Sequence, residues 1–332
     1  MSSMDNSMSN QLLVSMAKKK FYGHDKLYCK YDMKVPASAE REYMRVTNAY
    51  IGILKEELEK HLPTIKEAYK NELKDEIERN KPNLHTDSET DLMLIINQVF
   101  NEIRNKIQEK KLAFGLRNRL ELLANMNRKL TIKEWKKAIK KTLGIDIFED
   151  YYMGDFYKEN IEKWIDANVD LISTMPDQSL DEMKRIVMDG FANGKPSSTV
   201  TKEIMKAYAI SKTHAKLIAR DQSAKLYSAI QKAQQEDAGV EEYKWSGVGD
   251  ERERDSHRAL NGLTFKWSDA PVNSDGRKCH PGEDYNCRCV ALPVFHLNMN
   301  LPIKDEEKGE NLYAKESNEF RLLAPRRMSS SG

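Results

Sequence analysis

Ile218-Ala219-Arg220-Asp221-Gln222, Tyr243-Lys244-Trp245, Asp250-x-Arg252-x-Arg254-x-x-His257-x-x-Leu260-x-Gly262 and His280-Pro281-Gly282-Glu283-Asp284-Tyr285-Asn286-Cys287-Arg288-Cys289 follow one another between Lys216 and Pro293. Within this stretch the hydrophobic period changes. A helical pattern from Thr213 to Gln235 carries Leu217, Leu226, Ile230 and Ala233, and Gly239 is placed to cap it. Strand patterning follows at Val240 to Ser246, Thr264 to Trp267 and Val290 to Val294. It appears nowhere earlier, so the expected fold is α+β, mainly α, with a short sheet confined to the C-terminal third.

Upstream, helices are expected at Leu180 to Phe191 and Thr199 to Tyr208, separated by the Asn193-Gly194-Lys195-Pro196-Ser197-Ser198 turn, where Ser197 or Ser198 can cap the second. From Ala39, the residues Tyr43, Thr47, Tyr50, Leu54, Leu58 and Leu62 recur at three- and four-residue steps. Pro63 predicts a break or kink, after which Ile65, Tyr69, Leu73 and Ile77 resume the stripe as far as Pro82-Asn83. A second run opens at Asp87-Ser88-Glu89-Thr90 and carries Leu92, Ile96, Val99, Ile103 and Ile107. Leu116, Leu120, Leu123, Trp135 and Ile139 continue it, with Thr131-x-x-Glu134 read as a capping box. Phe148, Tyr152, Phe156 and Trp164 predict a further buried helix face. The expected organisation is a flexible N-terminal arm over 1–34, a helical region over 35–178, a small α+β domain over 179–296 and a polar flexible tail over 297–332.

With 332 residues, 39% of them hydrophobic, the chain is long enough to bury a sizeable core. Its 54 Lys and Arg against 52 Asp and Glu leave a formal net charge of +2, which excludes a globally basic nucleic-acid binder. Any DNA contact would need a local patch such as Lys18 to Lys20, Lys110-Lys111, or the face formed by Lys133, Lys136, Lys137, Lys140 and Lys141, and a solvated helix face has the same composition. No stretch approaches the ~20 apolar residues of a membrane span, and the Ser/Asn/Met-rich start lacks the order of a signal peptide. A soluble protein made in a cytoplasm is expected. Of the four cysteines, Cys279, Cys287 and Cys289 cluster and Cys29 stands apart; in a reducing compartment they read as thiols or metal ligands.

If Asp250 to Gly262 is a helix, Asp250, Arg254 and His257 share a face, and the imidazole either binds a metal or is simply packed and hydrogen-bonded. Cys287 and Cys289, two apart on an expected strand, would converge on one spot. Zinc takes thiolate and imidazole ligands, and His257, Cys279 and His280 are the candidates to complete a site; the alternative is a set of reduced thiols. Arg288 would face the other way and could pair with a carboxylate such as Asp250 or Asp284, or simply stay solvated. A Cys287–His257 dyad is the one catalytic arrangement on offer, and no protease signature, phosphate-binding Gly-rich loop, G-x-S-x-G elbow or H-E-x-x-H helix accompanies it.

The order and spacing of these motifs, above all the Asn286-Cys287-Arg288-Cys289 ending, resemble the head morphogenesis domain of tailed bacteriophages, the Mu F-like family of minor capsid proteins. The likeness spans roughly Gly190 to Pro293 and is carried by Arg220, Asp221, Gln222, Tyr243, Trp245, Asp250, Arg252, His257, Leu260, Gly262, Pro281, Gly282, Asn286, Cys287 and Cys289. It implies a structural, non-enzymatic component of the phage head, made in the host cytoplasm, associated with portal, capsid or scaffold protein and acting in procapsid assembly and in DNA packaging or ejection. Non-specific DNA contact is compatible with it, and no membrane is expected. The competing expectation is a metal- or thiol-dependent enzyme carried on the C-terminal domain.

Overall fold

The computed structural model describes residues 15, 17–79, 88–154, 157–297, 299 and 301, with backbone alone at 72–79 and 88–91. Leu73, Ile77, Pro82-Asn83, the capping side chains expected between Asp87 and Thr90, Phe156 and the polar tail after Leu301 lie outside the described residues or side chains. Among the described residues the main elements follow in the order β1 (Lys26–Tyr28), α1 (Ala37–Arg79), α2 (Ser88–Phe114), α3 (Leu116–Leu143), α4 (Lys158–Ser173), α5 (Met175–Ala192), α6 (Ser197–Asp237), β2 (Glu242–Ser246), α7 (Asp255–Arg258), β3 (Thr264–Lys266) and β4 (Val290–His296). A 3-10 turn, Glu149–Met153, lies between α3 and α4. The fold is α+β and mainly α, as the patterning predicts.

The chain divides into two compact units, one of Met1–Ala39, Ala124–Trp164 and Asp221–Gly332, the other of Glu40–Leu123 and Ile165–Arg220. The second is all helical among its described residues. Tyr43, Tyr50, Leu54, Leu58, Ile65 and Tyr69 of α1 are buried at the predicted spacing, as are Leu92, Ile96, Val99, Ile103 and Ile107 of α2. Helix α2 lies against α5, where Lys111 reaches Asp177 at 2.6 Å and Arg104 pairs with Asp181. Glu57, nearly inaccessible, sits between Lys60 and Lys110 at 2.8 and 2.7 Å; burial pushes its carboxyl up, but the two ammonium groups outweigh this and hold it below the usual range.

Four helix boundaries differ from the sequence reading. Pro63 lies inside α1, which continues to Arg79 without a break. The missing amide and ring clash carry a cost, and Leu58 and Ile65, both buried on either side of it, hold the helix together. The run from Leu92 to Ile139 is interrupted where the pattern shows nothing, at Gly115, whose φ of 62° ends α2 before α3 begins. Helix α3 then runs through Thr131, so the expected capping box is interior: the Thr131 hydroxyl donates to the Asn127 carbonyl one turn back at 2.9 Å. The pair expected at Thr199 to Tyr208 and Thr213 to Gln235 is the single helix α6, because Ala209 to Lys212 contains no breaker.

The first unit holds the sheet, antiparallel throughout in the order β1-β4-β2-β3. The three predicted strands are present. A fourth, β1, comes from the segment read as an arm: Lys26–Tyr28 pairs with Val294–His296, and Ala17, Phe21 and Met33 are buried beside it. Its place in the sheet comes from long-range pairing with β4, which a local pattern does not carry. Strand β4 is buried on both faces. Val290 and Leu292 join a core with Trp135, Ile139 and Tyr227, while Ala291 opposes Trp245 in a smaller core of Tyr243, Trp245, Trp267, Cys287 and Cys289. Helix α6 ends as expected, with Gly239 at φ 73° and the Val240 and Gly239 amides returning to the Gln235 and Glu236 carbonyls at 2.8 and 2.9 Å.

Because Pro63 is exposed and interior to α1, Pro63→Ala is expected to restore a backbone hydrogen bond and stabilise the protein by about 1–3 kcal/mol. A higher urea midpoint with an unchanged denaturant slope would show this, and a lower one would mean that α1 is built around the proline.

Candidate functional site

The site is assembled on one face of the second half of α6. Asp221, Ser228 and Gln235 stand seven residues apart, two helical turns, so all three project to the same side, and all three are buried. Each holds a different point of the irregular chain entering β4. The Asp221 carboxylate accepts the Asn286 amide at 2.7 Å, the Ser228 hydroxyl donates to the Pro281 carbonyl at 2.6 Å, and the Gln235 amide donates to the Ala291 carbonyl at 2.9 Å. The Gln235 oxygen in turn accepts the Trp267 indole N–H at 3.1 Å. Two backbone departures make the fit: Gly282 at φ 85°, where a Cβ would come within 2.8 Å of the Ser228 Cβ, and Asn286 at φ 51°. Pro281, Gly282, Asn286 and Asp221 of the sequence motif therefore specify a backbone path.

The segment around His257 differs from the expected helix. Only Asp255–Arg258 is helical, preceded by Arg254 in extended geometry at ψ 143°. The reason is local competition for backbone donors. The Glu253 carboxylate accepts the Gly249 amide at 2.7 Å and lies where any Cβ on Gly247 would fall, while the Asp250 carboxylate accepts the Arg252 amide at 3.1 Å. Asp250, Arg254 and His257 consequently do not share a helix face. Asp250 binds the Arg288 guanidinium through both oxygens at 2.6 Å, one of the two pairings expected for Arg288. Arg254 instead meets Asp284 at 2.8 Å. Gly262, at φ 82°, sends its amide to the Trp245 carbonyl at 2.8 Å and so brings this segment against β2.

Cys287 and Cys289 lie in the extended approach to β4, just ahead of its first residue, and both face His257. The two sulfurs are 3.5 and 3.7 Å from its Nδ1 atom. Its Nε2 atom is 3.0 Å from the Asp284 carboxylate, which also receives Arg254, Arg277 at 3.2 Å and the Tyr285 amide at 2.8 Å. The Trp245 ring meets the imidazole edge-on with centroids 5.6 Å apart. His257, Cys287 and Cys289 are 2%, 3% and 3% exposed, so this is an interior cluster.

Its electrostatics follow from those contacts. The Cys287 thiol is held down to about 5 by the Cys289 thiol donating to it, with His257 and the Cys289 and Gly282 amides acting in the same direction against the cost of burial. Cys289 is pushed up by the Cys287 thiolate and by burial. His257 is pushed up, first by its hydrogen bond with Cys287. For Asp284, burial acts upward, yet the Tyr285 amide, His257, Arg254 and Arg277 keep it below the ordinary carboxylate range.

Other expected site residues lie elsewhere. His280 is not among the thiol ligands: its Nδ1 meets the Tyr243 hydroxyl at 2.8 Å, its ring lies against Trp267, and burial pushes its pKa down. Cys279 stands within 4.8 Å of His257 and Asp284 donor atoms, apart from the Cys287 and Cys289 pair, and burial lifts its thiol to about 11. Gln222 donates to Asp221 at 3.0 Å, Arg220 pairs with Glu40 at 3.4 Å, Arg252 is exposed, and Leu260 packs partly buried beside Trp245. Sequence reading missed Ser228, Gln235 and Glu253. The seven-residue spacing from Asp221 is the signal that would have exposed the first two.

A helix-borne polar face clamping a His–Cys cluster beside a short antiparallel sheet is the class of domain that these observations define. Residues 181–292 match the family described as Phage Mu protein F like protein, which makes this segment a Mu F-like domain. A protein of Haemophilus influenzae bearing the name "Uncharacterized protein" is 31% identical over 186 residues, covering 55% of this chain and 41% of that protein. The match thus spans less than half the length of that relative. No solved structure matches the chain.

Gln235→Leu would strand the Ala291 carbonyl and the Trp267 indole together, and is expected to cost at least about 2 kcal/mol. Gly282→Ala, forced into a positive φ against Ser228, is expected to cost at least about 1 kcal/mol. Equilibrium urea unfolding measures both, and wild-type stability in either variant would show that α6 does not clamp this segment.

Proposed function

We propose that this chain is a minor head protein of a tailed bacteriophage, acting in head morphogenesis within the virion. The observation that carries the reading is the Mu F-like match over residues 181–292, supported by the way Asp221, Pro281, Gly282 and Asn286 of that segment form one connected structure. The helices outside the matched segment carry much of the charged surface, which suits docking onto portal, capsid or scaffold protein during procapsid assembly, with a role in DNA packaging or ejection. No helix among the described residues is long and apolar enough to cross a membrane.

DNA contact has weaker support. On the lysine face of α3, Lys136 is matched by Asp146 and Glu149 at 3.1 and 2.9 Å, Lys137 by Glu134 at 2.9 Å and Lys140 by Asp146 at 3.2 Å. Charges balanced in this way release few counterions, so any binding should be weak and sequence-independent.

The second reading, a thiol-dependent enzyme, draws on the Cys287–His257–Asp284 alignment, which resembles a nucleophile, base and orienting acid. Burial argues against it. A nucleophile must touch its substrate, and Cys287 is only 3% exposed.

Mass spectrometry of purified virions of the phage that encodes the chain tests the proposal. The chain should be present at low copy number and should cross-link, in procapsids, to portal, capsid or scaffold protein. Absence from both particles would overturn the reading.

A further inference from the structure

We infer that His257, Cys287 and Cys289 form a binding site for one thiophilic divalent metal ion, zinc being the natural occupant, with Asp284 as the carboxylate that positions the imidazole. The inference rests on the geometry of the cluster and is independent of the head-protein reading.

The separations are those of ligands around a common ion. A tetrahedral zinc, with Zn–S of about 2.3 Å and Zn–N of about 2.0 Å, places sulfur and nitrogen about 3.5 Å apart. The two observed distances, 3.5 and 3.7 Å, lie close to that value. An imidazole nitrogen takes part in one strong hydrogen bond, as a single donor or a single acceptor, so of two sulfurs converging on Nδ1 one must turn elsewhere, as the Cys289 thiol does toward Cys287. A cation between them serves both.

The surroundings supply what such a site needs. The far imidazole nitrogen, Nε2, is 3.0 Å from Asp284, the carboxylate–histidine arrangement that fixes the tautomer presenting Nδ1 as a lone-pair donor. Cys287 sulfur accepts the Gly282 and Cys289 amides at 3.3 and 3.4 Å, which stabilises negative charge on it. Two thiolates and a divalent ion are together neutral, so their burial against Trp245 and Ala291 costs far less than burying the thiolates alone. Asp284 keeps its own counter-charges, Arg254 and Arg277. The fourth coordination position falls to water or to Glu253, whose carboxylate oxygen lies 4.0 Å from the Cys289 sulfur. Sulfur and imidazole donors favour zinc over magnesium or calcium. A second grouping, His257 with Cys279 and Asp284, is the weaker candidate, because it has one sulfur and its carboxylate is already committed to two guanidinium groups and an amide.

The test uses the full chain, purified under reducing conditions, stripped of metal and titrated with Co(II). A tetrahedral thiolate site gives the ligand-field bands of four-coordinate cobalt and an intense sulfur-to-metal charge-transfer absorption, saturating at about one ion per chain and bleached by added zinc. Cys287→Ser, Cys289→Ser and His257→Ala should each abolish or collapse the charge-transfer band, whereas Cys279→Ser and His280→Gln should retain it. Asp284→Asn, which leaves all three ligands in place, should weaken zinc binding about 10–100-fold in competition with a chromogenic chelator. The wild-type spectrum decides the matter even where a ligand variant fails to fold. Absence of the cobalt spectrum in a folded chain with reduced thiols would overturn the inference, as would a spectrum that survives in Cys287→Ser, or a native Cys287–Cys289 disulfide. Absence of the chain from virions would count against the head-protein reading alone.

Discussion

The C-terminal domain depends on the polar face that α6 turns inward. A helix normally buries an apolar stripe, and burying Asp221, Ser228 and Gln235 would cost several kcal/mol if their hydrogen-bonding groups were left unpaired. Instead each meets a backbone group of the 281–291 segment, which has too little regular structure of its own to satisfy those groups. The two deficits cancel. Helix α6 acts as a template on which an irregular loop has one low-energy path, and that path delivers Cys287 and Cys289 to His257.

Downstream of this clamp, polar contacts set the geometry where apolar area is scarce. The smaller core holds Tyr243, Trp245, Trp267, Ala291 and the two cysteines, flanked by Leu260 and Phe265, a modest store of hydrophobic energy for a sheet face. Asp284 compensates by joining its own loop to the turn that carries Arg254 and His257 and to Arg277. Since its carboxyl is held low, its contribution is complete above the unfolded pKa and is lost as pH falls through the lower folded value.

Legibility in the sequence followed the range of the interactions. Strands β2, β3 and β4 and the Gly239 cap were readable because strand patterning and a helix-terminal glycine are local signals. Convergence of Cys287 and Cys289 was readable from their spacing, although they sit ahead of β4 and not on it. Pro63 and Gly115 show the limit of reading breakers by type. The proline is carried through by packing on either side, whereas the glycine at φ 62° stops a helix whose hydrophobic pattern continues unchanged. The expected helix over Asp250 to Gly262 gave way to a turn because two acidic side chains took backbone amides that a helix would have used. The choice between His280 and the other ligands could not be read at all. It turns on Tyr243, whose hydroxyl occupies the His280 ring and whose strand is brought there by tertiary structure.

The interior position of the His–Cys cluster bears on what kind of role it can have. A catalytic thiol requires a route for substrate and a place for the leaving group, and Cys287 and Cys289 are each only 3% exposed. A structural ion has the opposite requirement. Enclosure lowers the local dielectric response, strengthens each metal–thiolate interaction and slows exchange. It also places the ion where it would tie the approach to β4 to the segment after β2, reinforcing the Asp250–Arg288 and Arg254–Asp284 ion pairs between them. Because binding free energy at such a site adds to folding free energy, a domain with a small core gains more from it than one with a large core would, and the same burial that weakens the case for catalysis strengthens the case for a staple.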